Sequence, residues 1–346
     1  MHHTVETVLR VAATSGSKGR ARVTKRTTKT LLNGLGVPEC LRWHEDALWF
    51  SDMAYGTVHR WTKRDGARVV AEIPGRAAGL GWLPDGRLLA VSMDEHVVYR
   101  QEPGGALVVH ADLSESAGGP ANDMLVDDAG RAYVGNFGFD YHAFVRRHPN
   151  SALYAPPGPA RTPIVCFGPD GARLGTSEPL MFPNGCVITV DGTFVVAETL
   201  GLRLTALERN EAGVLTDGRV WAPLVPDALW RLLNRPGPAG RATRAISALL
   251  DRPAIASRSA SPIAPDGIAL ASDGRTVWVA NALRGECVRV AAGGRILDRV
   301  STSQHTLCCV VGGEDGDSLF AATAPSDDPV EGRRLNGGRI EVARLL

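Results

Sequence analysis

The chain has 346 residues, with 38 Lys and Arg against 37 Asp and Glu, 44% hydrophobic residues, 39 Gly and 22 Pro. That aliphatic content and low net charge exclude a wholly disordered chain, no apolar run approaches a membrane span, and the length allows two ordinary domains or one large closed β architecture. Residues 1–30 carry seven Arg or Lys and one acid, leaving 31 basic and 36 acidic residues behind them, a mildly acidic body that argues against nucleic acid as a ligand.

From the N-terminus, residues 1–27 read as a basic, flexible segment, with no secretory leader visible after Met1, so the expected location is cytoplasmic. Residues 28–346 read as a repeat of strand-length runs rich in Val, Leu, Ala, Trp and Phe, punctuated by Gly/Asp turn signals. The tips fall at His44-Glu45-Asp46, Asp85-Gly86-Arg87, Asp128-Ala129-Gly130, Asp191-Gly192, Asp273-Gly274-Arg275 and Asp315-Gly316-Asp317. Taking positions 46, 85, 129, 191, 273 and 315, the spacings are 39, 44, 62, 82 and 42 residues: three blades of four strands, and two blades carrying insertions. The expected fold is therefore all-β, a six-bladed β-propeller, closed by pairing Thr30-Leu31-Leu32 with Gly338–Ala343. A β-sandwich or two β domains is the competing architecture.

Strand counting puts both insertions, 139–163 and 222–262, on one face. The second contains Asp227–Leu233 and Arg244–Leu250, which read as two short helices with Asp227 as N-cap, together a helical lid on that face. The six cysteines (Cys40, Cys166, Cys186, Cys287, Cys308, Cys309) show no C-x-x-C pair, so neither a disulfide framework nor a zinc site is expected, and Cys308-Cys309 reads as small apolar core.

The chemistry lies at the starts of four innermost strands: Pro38-Glu39, Pro120-Ala121-Asn122, Pro183-Asn184 and Pro265-Asp266. The other two blades offer Gly79-Leu80-Gly81 and Thr306-Leu307-Cys308 there. Proline costs no ladder donor at a strand start, and innermost strands converge on the axis. Two carboxylates and two carboxamides meeting there are costly to bury without a partner, and an all-oxygen set suits a hard cation, Ca²⁺, Mg²⁺ or Mn²⁺ ahead of Zn²⁺ or Fe²⁺. Taken singly, Asn184-Gly185 and Asp266-Gly267 also read as turn dipeptides; their recurrence at one blade phase favours the site.

These residues resemble the senescence marker protein, gluconolactonase and luciferin-regenerating enzyme family of six-bladed propellers, through Pro38-Glu39, Asn122-Asp123, Phe182-Pro183-Asn184-Gly185 and Ala264-Pro265-Asp266-Gly267. The segment Val134–Asp140 and the ending Gly338-Arg339-Ile340-Glu341 are similar to bacterial members. The resemblance implies one divalent metal, with Glu39, Asn184 and Asp266 as ligands, Asn122 ligating or holding substrate, and hydrolysis of a lactone or ester with Asp266 as general base. Phe137, Phe139 and His142 fall near the same face and could touch substrate. Calcium is the expected ion and a small molecule the expected partner, with no nucleic acid or membrane; the oligomeric state is left open. Two other readings use the same fold: a metal-dependent lyase, isomerase or cyclase acting on a carbonyl compound, or a non-catalytic calcium-binding propeller. Three departures stand out from the family pattern. Cys40-Leu41 replaces the common Gly-Pro after the glutamate, Gly119-Pro120-Ala121 offers no Arg shortly before Asn122, and the lid at 222–262 is longer than the family leads one to expect, with six Arg against two Asp between 227 and 260. They point from sugar lactones toward a larger anionic or aromatic substrate.

Overall fold

The computed structural model describes residues 26–148, 150–250 and 262–345. Six sheets form the blades, each innermost strand first: β3 (Pro38–His44), β4 (Ala47–Asp52), β5 (Thr57–Thr62) and β6 (Gly66–Glu72); β7 (Ala77–Trp82), β8 (Leu88–Ser92), β9 (Val97–Gln101) and β10 (Leu107–Asp112); β11 (Ala121–Val126), β12 (Ala132–Asn136), β13 (Val165–Phe167) and β14 (Arg173–Thr176); β15 (Pro183–Ile188), β16 (Phe194–Glu198), β17 (Arg203–Arg209) and β18 (Leu215–Pro223); β19 (Pro265–Leu270), β20 (Val277–Asn281), β21 (Glu286–Val290) and β22 (Ile296–Ser301); and β23 (His305–Gly312), β24 (Ser318–Ala324) and β25 (Gly338–Arg344) with β2 (Lys29–Leu35). The innermost strands are β3 (Pro38–His44), β7 (Ala77–Trp82), β11 (Ala121–Val126), β15 (Pro183–Ile188), β19 (Pro265–Leu270) and β23 (His305–Gly312). Each packs beside the next, and β23 packs beside β3, which closes the ring. We number the blades I to VI in that order.

Closure uses the strand the sequence offers: β2 (Lys29–Leu35) is the outermost strand of blade VI, antiparallel to β25 (Gly338–Arg344), with Thr30 opposite Glu341. Residues 26 and 27, assigned from sequence to the N-terminal segment, form the short strand β1, which runs parallel to β22 (Ile296–Ser301). Residues 1–25 lie outside the described residues.

All six tips are turns. Glu45 and Asp46 both take positive φ, as a two-residue hairpin turn requires, and Gly86, Gly130, Gly192, Gly274 and Gly316 take it at the other five. Neighbouring blades share apolar layers, such as Val58, Ala77, Leu80 and Ala90 between blades I and II, or Val187, Val195, Val279 and Val288 between IV and V. Each fully buried Val or Leu contributes roughly 1.5–3 kcal/mol, so the ring is held by many such layers rather than one centre. All six cysteines are free and buried. No helix among the described residues is long and apolar enough to cross a membrane.

Three insertions stand on the face where innermost strands begin. After β12 (Ala132–Asn136), the second strand of blade III, come α1 (Tyr141–Arg147) and a 3₁₀ turn at Asn150–Tyr154. After β18 (Leu215–Pro223), the fourth strand of blade IV, come α2 (Asp227–Leu233) and α3 (Gly237–Leu250). Asp227 is not the cap: Pro226 holds that position and gives no side-chain hydrogen bond, so Asp227 sits in the first turn, where its charge favours the helix dipole. The third insertion went unread in the sequence: α4 (Pro329–Leu335) follows β24 (Ser318–Ala324), the second strand of blade VI.

Candidate metal and substrate site

Each innermost strand carries a register irregularity within its first residues, where three residues oppose two on the partner strand or their equivalent. Such a bulge re-aims a side chain without ending the strand. Asn122, Asn184 and Asp266 are the first residues inside it in blades III, IV and V, whereas in blade I Glu39 is still paired, with Ser51, and the shift follows it. The loop before each strand is held by a buried polar residue ending the second strand of the blade. Asp52 accepts from the N–H of Gly36 (2.8 Å) and Val37 (3.0 Å), and Asn136 Oδ1 from Gly118 (3.2 Å). Glu198 Oε2 accepts from Met181 (2.7 Å), and Asn281 Oδ1 from Ala264 (3.3 Å). The signal for these anchors is in the sequence: a mostly apolar run ending in Asp52, Asn136, Glu198 or Asn281.

Asn184 and Asp266 meet directly, Nδ2 donating to Oδ1 at 2.5 Å. The other Nδ2 hydrogen reaches Thr199 Oγ1 at 3.3 Å, and that hydroxyl donates to the Pro265 carbonyl at 2.7 Å. Both amide donors are thus used, and the side-chain Oδ1 of Asn184 has no hydrogen bond among the described residues. The glycines after these residues are not turn glycines, as the dipeptide reading allowed, because neither Gly185 nor Gly267 has positive φ. A Cβ on Gly185 would lie 2.4 Å from Ile268 N, and one on Gly267 would lie 2.5 Å from Cys308 Sγ, so both permit close approach of neighbouring innermost strands.

Burial pushes the Glu39 carboxyl up to about 8; the Cys40 N–H donating to Oε2 at 3.1 Å opposes this, the charges of Asp123 and Asp327 add to it, and Arg42 works against it. Asp266 is raised well above the usual carboxylate range, first by burial, then by the charges of Glu39 and Asp327. No Lys or Arg among the described residues forms an ion pair with either carboxylate. The nearby guanidinium is committed: Arg42 pairs with Asp123 at 2.6 Å and donates to the Leu41 carbonyl at 2.9 Å. Among the described residues no three His, Cys, Asp or Glu side chains group to hold a metal. Two carboxylates of raised proton affinity, a free carboxamide oxygen and no partner cation are nevertheless a donor set that fits one hard divalent ion.

The Asn122 carboxamide is 8% exposed and makes no side-chain hydrogen bond among the described residues. Phe137 stacks on Phe182 with centroids 4.4 Å apart, while Phe139 meets Phe182 and Phe144 edge-on, forming an aromatic wall. His142 is buried on α1, its Nε2 donating to the Asp327 carbonyl at 3.1 Å and its Nδ1 facing Arg76 Nη1 at 3.4 Å. Burial holds its pKa below the ordinary value. Sequence reasoning missed Tyr141 and Asp327, whose Oη and Oδ2 are hydrogen-bonded at 3.0 Å. A legible signal was Asp328-Pro329-Val330-Glu331, a helix start in which Asp328 accepts from the N–H of Val330 (2.9 Å) and Glu331 (3.2 Å).

Cys40 takes φ +52°, a left-handed conformation that favours the glycine its resemblance leads one to expect there. Its thiol is buried, which raises its pKa and leaves it an apolar filler rather than a nucleophile. The α2–α3 insertion packs through Leu229, Trp230 and Leu233 on Leu202, Ala264 and Tyr154. One of its arginines does not face a ligand: Arg244 is 7% exposed and donates to the Leu233 carbonyl at 2.6 Å, capping α2. Residues 251–261 of this insertion lie outside the described residues. At the opposite end of the ring a cavity of about 580 Å³ is lined by Leu125, Val187, Arg131 and Arg209, but both arginines are bound to Asp127, at 2.8 and 3.1 Å.

Among the solved structures that share this fold are the following three. A luciferin-regenerating enzyme superimposes with a TM-score of 0.66 at 15% identity, covering 92% of this chain and 95% of its own. Regucalcin from Agrobacterium tumefaciens, a calcium-binding protein, gives 0.65 at 17% identity over 94% and 96%. A gluconolactonase from Xanthomonas campestris gives 0.63 at 17% identity over 96% and 99%. No curated protein matches the sequence. The family model for the SMP-30/gluconolactonase/LRE-like region matches residues 37–325, from the strand that carries Glu39 to the loop before Asp327, and the chain belongs to that family.

Proposed function

We propose that the protein is a metal-dependent hydrolase of a lactone or related ester, with its site at the mouth of the propeller axis. The observation that carries this reading is the convergence of Glu39, Asn184 and Asp266, oxygen donors from three blades, without a cationic side chain to balance them. Family membership and the gluconolactonase among the structural neighbours support it. Glu39, Asn184 and Asp266 would hold the divalent ion, for which the calcium-binding neighbour favours Ca²⁺. The ion supplies Lewis acidity to the substrate's acyl oxygen.

The chain's own groups do the rest. Asp266 takes a proton from the attacking water as the oxygen bonds to the acyl carbon. The acyl C–O bond then breaks and the proton passes to the leaving alkoxide. Asn122 orients the acyl group, while Phe137, Phe139 and Phe182 offer a wall to an apolar ring. The α2–α3 insertion serves as a lid that limits water. The test is a panel of neutral lactones and aryl esters in ¹⁸O-water, with elemental analysis of the purified wild type and of Asp266→Ala. One label per product, and loss of both metal and turnover in the variant, are expected. Metal retention and unchanged turnover in Asp266→Ala would remove the mechanism.

A further inference from the structure

Blades III and VI stand opposite one another in a six-membered ring, so insertions from them touch only by crossing the face on which the innermost strands begin. They do touch. The blade III helix α1 gives Tyr141, whose phenol bonds Asp327 Oδ2 at 3.0 Å, and His142, whose Nε2 bonds the Asp327 carbonyl at 3.1 Å; Asp327 comes from the blade VI loop. Arg146 of α1 adds an ion pair to Asp328 at 2.8 Å. Asp327 is thereby fixed through backbone and side chain, yet it remains exposed, and its Oδ1 has no hydrogen-bond or ion-pair partner among the described residues. Its charge reaches both Glu39 and Asp266, and Tyr141 in turn feels Asp266, which places this bridge beside the site.

The charge balance follows. A divalent ion held by Glu39 and Asp266 would offset their charges, Arg42 offsets Asp123 and Arg76 is paired with Asp94 at 2.7 Å, which leaves Asp327 without a balancing charge among these described residues. Beside it stand the rings of Tyr141, Phe137 and Phe139. We propose that Asp327, held by Tyr141 and His142, is a specificity-determining residue: it accepts a hydrogen bond from an ammonium or hydroxyl group of the substrate and turns away carboxylate-bearing substrates. This rests on the hydrolase reading for its reaction, but not for its binding. It also reverses the anionic preference suggested by the arginines of the 222–262 insertion, one of which, Arg244, is spent on a helix end.

The test uses the full chain loaded with calcium and two lactones of one ring size bearing either an ammonium or a carboxylate, together with their lactam counterparts as unreactive ligands. Wild type is expected to favour the ammonium lactone in kcat/KM. Asp327→Asn narrows that ratio at least tenfold, chiefly through KM, and Asp327→Glu restores most of it. Calorimetry with the lactams reads the same preference without turnover. A ratio unchanged in Asp327→Asn, an equal loss on both lactones that Asp327→Glu does not rescue, or no charge preference among the lactams would overturn the assignment. Lactam preference without any lactone turnover would instead sink the hydrolase reading and leave Asp327 standing.

Discussion

Replacing Glu39 by Gln separates the electrostatic cost of the axial site from its ligand function. The Gln amide oxygen can still accept the Cys40 N–H, which lies 3.1 Å from Oε2 in the native protein, but it carries no charge. In the unfolded chain this carboxyl ionises near its ordinary value of 4.5, whereas in the folded, metal-free protein it holds its proton up to about 8. A folded-state pKa raised in this way means that the folded form binds more protons, so stability present below pH 4.5 is lost as pH rises toward 8. At pH 7 the loss spans the 2.5 pH units from 4.5 to 7, and at roughly 1.36 kcal/mol per unit it amounts to about 3 kcal/mol. Above pH 8 it levels at about 5 kcal/mol, from the full 3.5 units. With a chelator present, Glu39→Gln is therefore expected to be more stable than wild type by about 3 kcal/mol at pH 7, and equal to it near pH 4. With calcium at about a thousand times its dissociation constant, wild type gains about 4 kcal/mol by mass action and the order reverses, because Gln leaves the ion's charge unbalanced. Urea unfolding under these conditions provides the measurement. A variant less stable than wild type at pH 7 in chelator, or a calcium gain of equal size in both, would refute the account of Glu39 as a half-buried carboxylate that awaits a cation.

Two further outcomes follow from the backbone around the site. Gly185→Ala would drive a Cβ to 2.4 Å from Ile268 N and 2.8 Å from Gly267 Cα, where backbone meets backbone. It is expected to cost about 2–3 kcal/mol and to weaken metal binding by spreading Asn184 from Asp266, with a urea midpoint and a calcium titration as the readouts. Asp52→Ala strips the acceptor from the N–H groups of Gly36, Val37 and Ala54, at 2.8, 3.0 and 3.2 Å, for about 3 kcal/mol. Since those groups lead into Pro38 and Glu39, its calcium affinity is expected to fall as well; wild-type affinity in Asp52→Ala would show that the anchor does not place Glu39.

The blades and their phase were legible because both are written in short-range pattern. A strand such as Val277–Asn281 and the Asp273-Gly274 turn before it depend on residues a few positions apart, and so does the Pro-polar pair that opens a strand. What the pattern misread shows where that range ends. Gly185 and Gly267 look like turn glycines locally, but Ile268 and Cys308, on neighbouring blades, are the reason for them. Arg244 counts as surface charge in a composition window, yet its guanidinium lies buried against the end of α2. Asp227 looked like a cap because helix-start chemistry favours it, whereas Pro226 occupies the place.

By itself, then, the sequence determined a ring of six four-stranded sheets, the strand starts that carry oxygen donors and the face on which they lie, because each depends on alternation, turn chemistry or counting. Tertiary structure alone decided which of those donors lack a balancing charge, and that Tyr141 and Asp327, 186 positions apart, meet at the mouth. The physical reason is closure: pairing β2 with β25 fixes which blades face each other, and side chains brought together across the axis have no counterpart in any local stretch of chain.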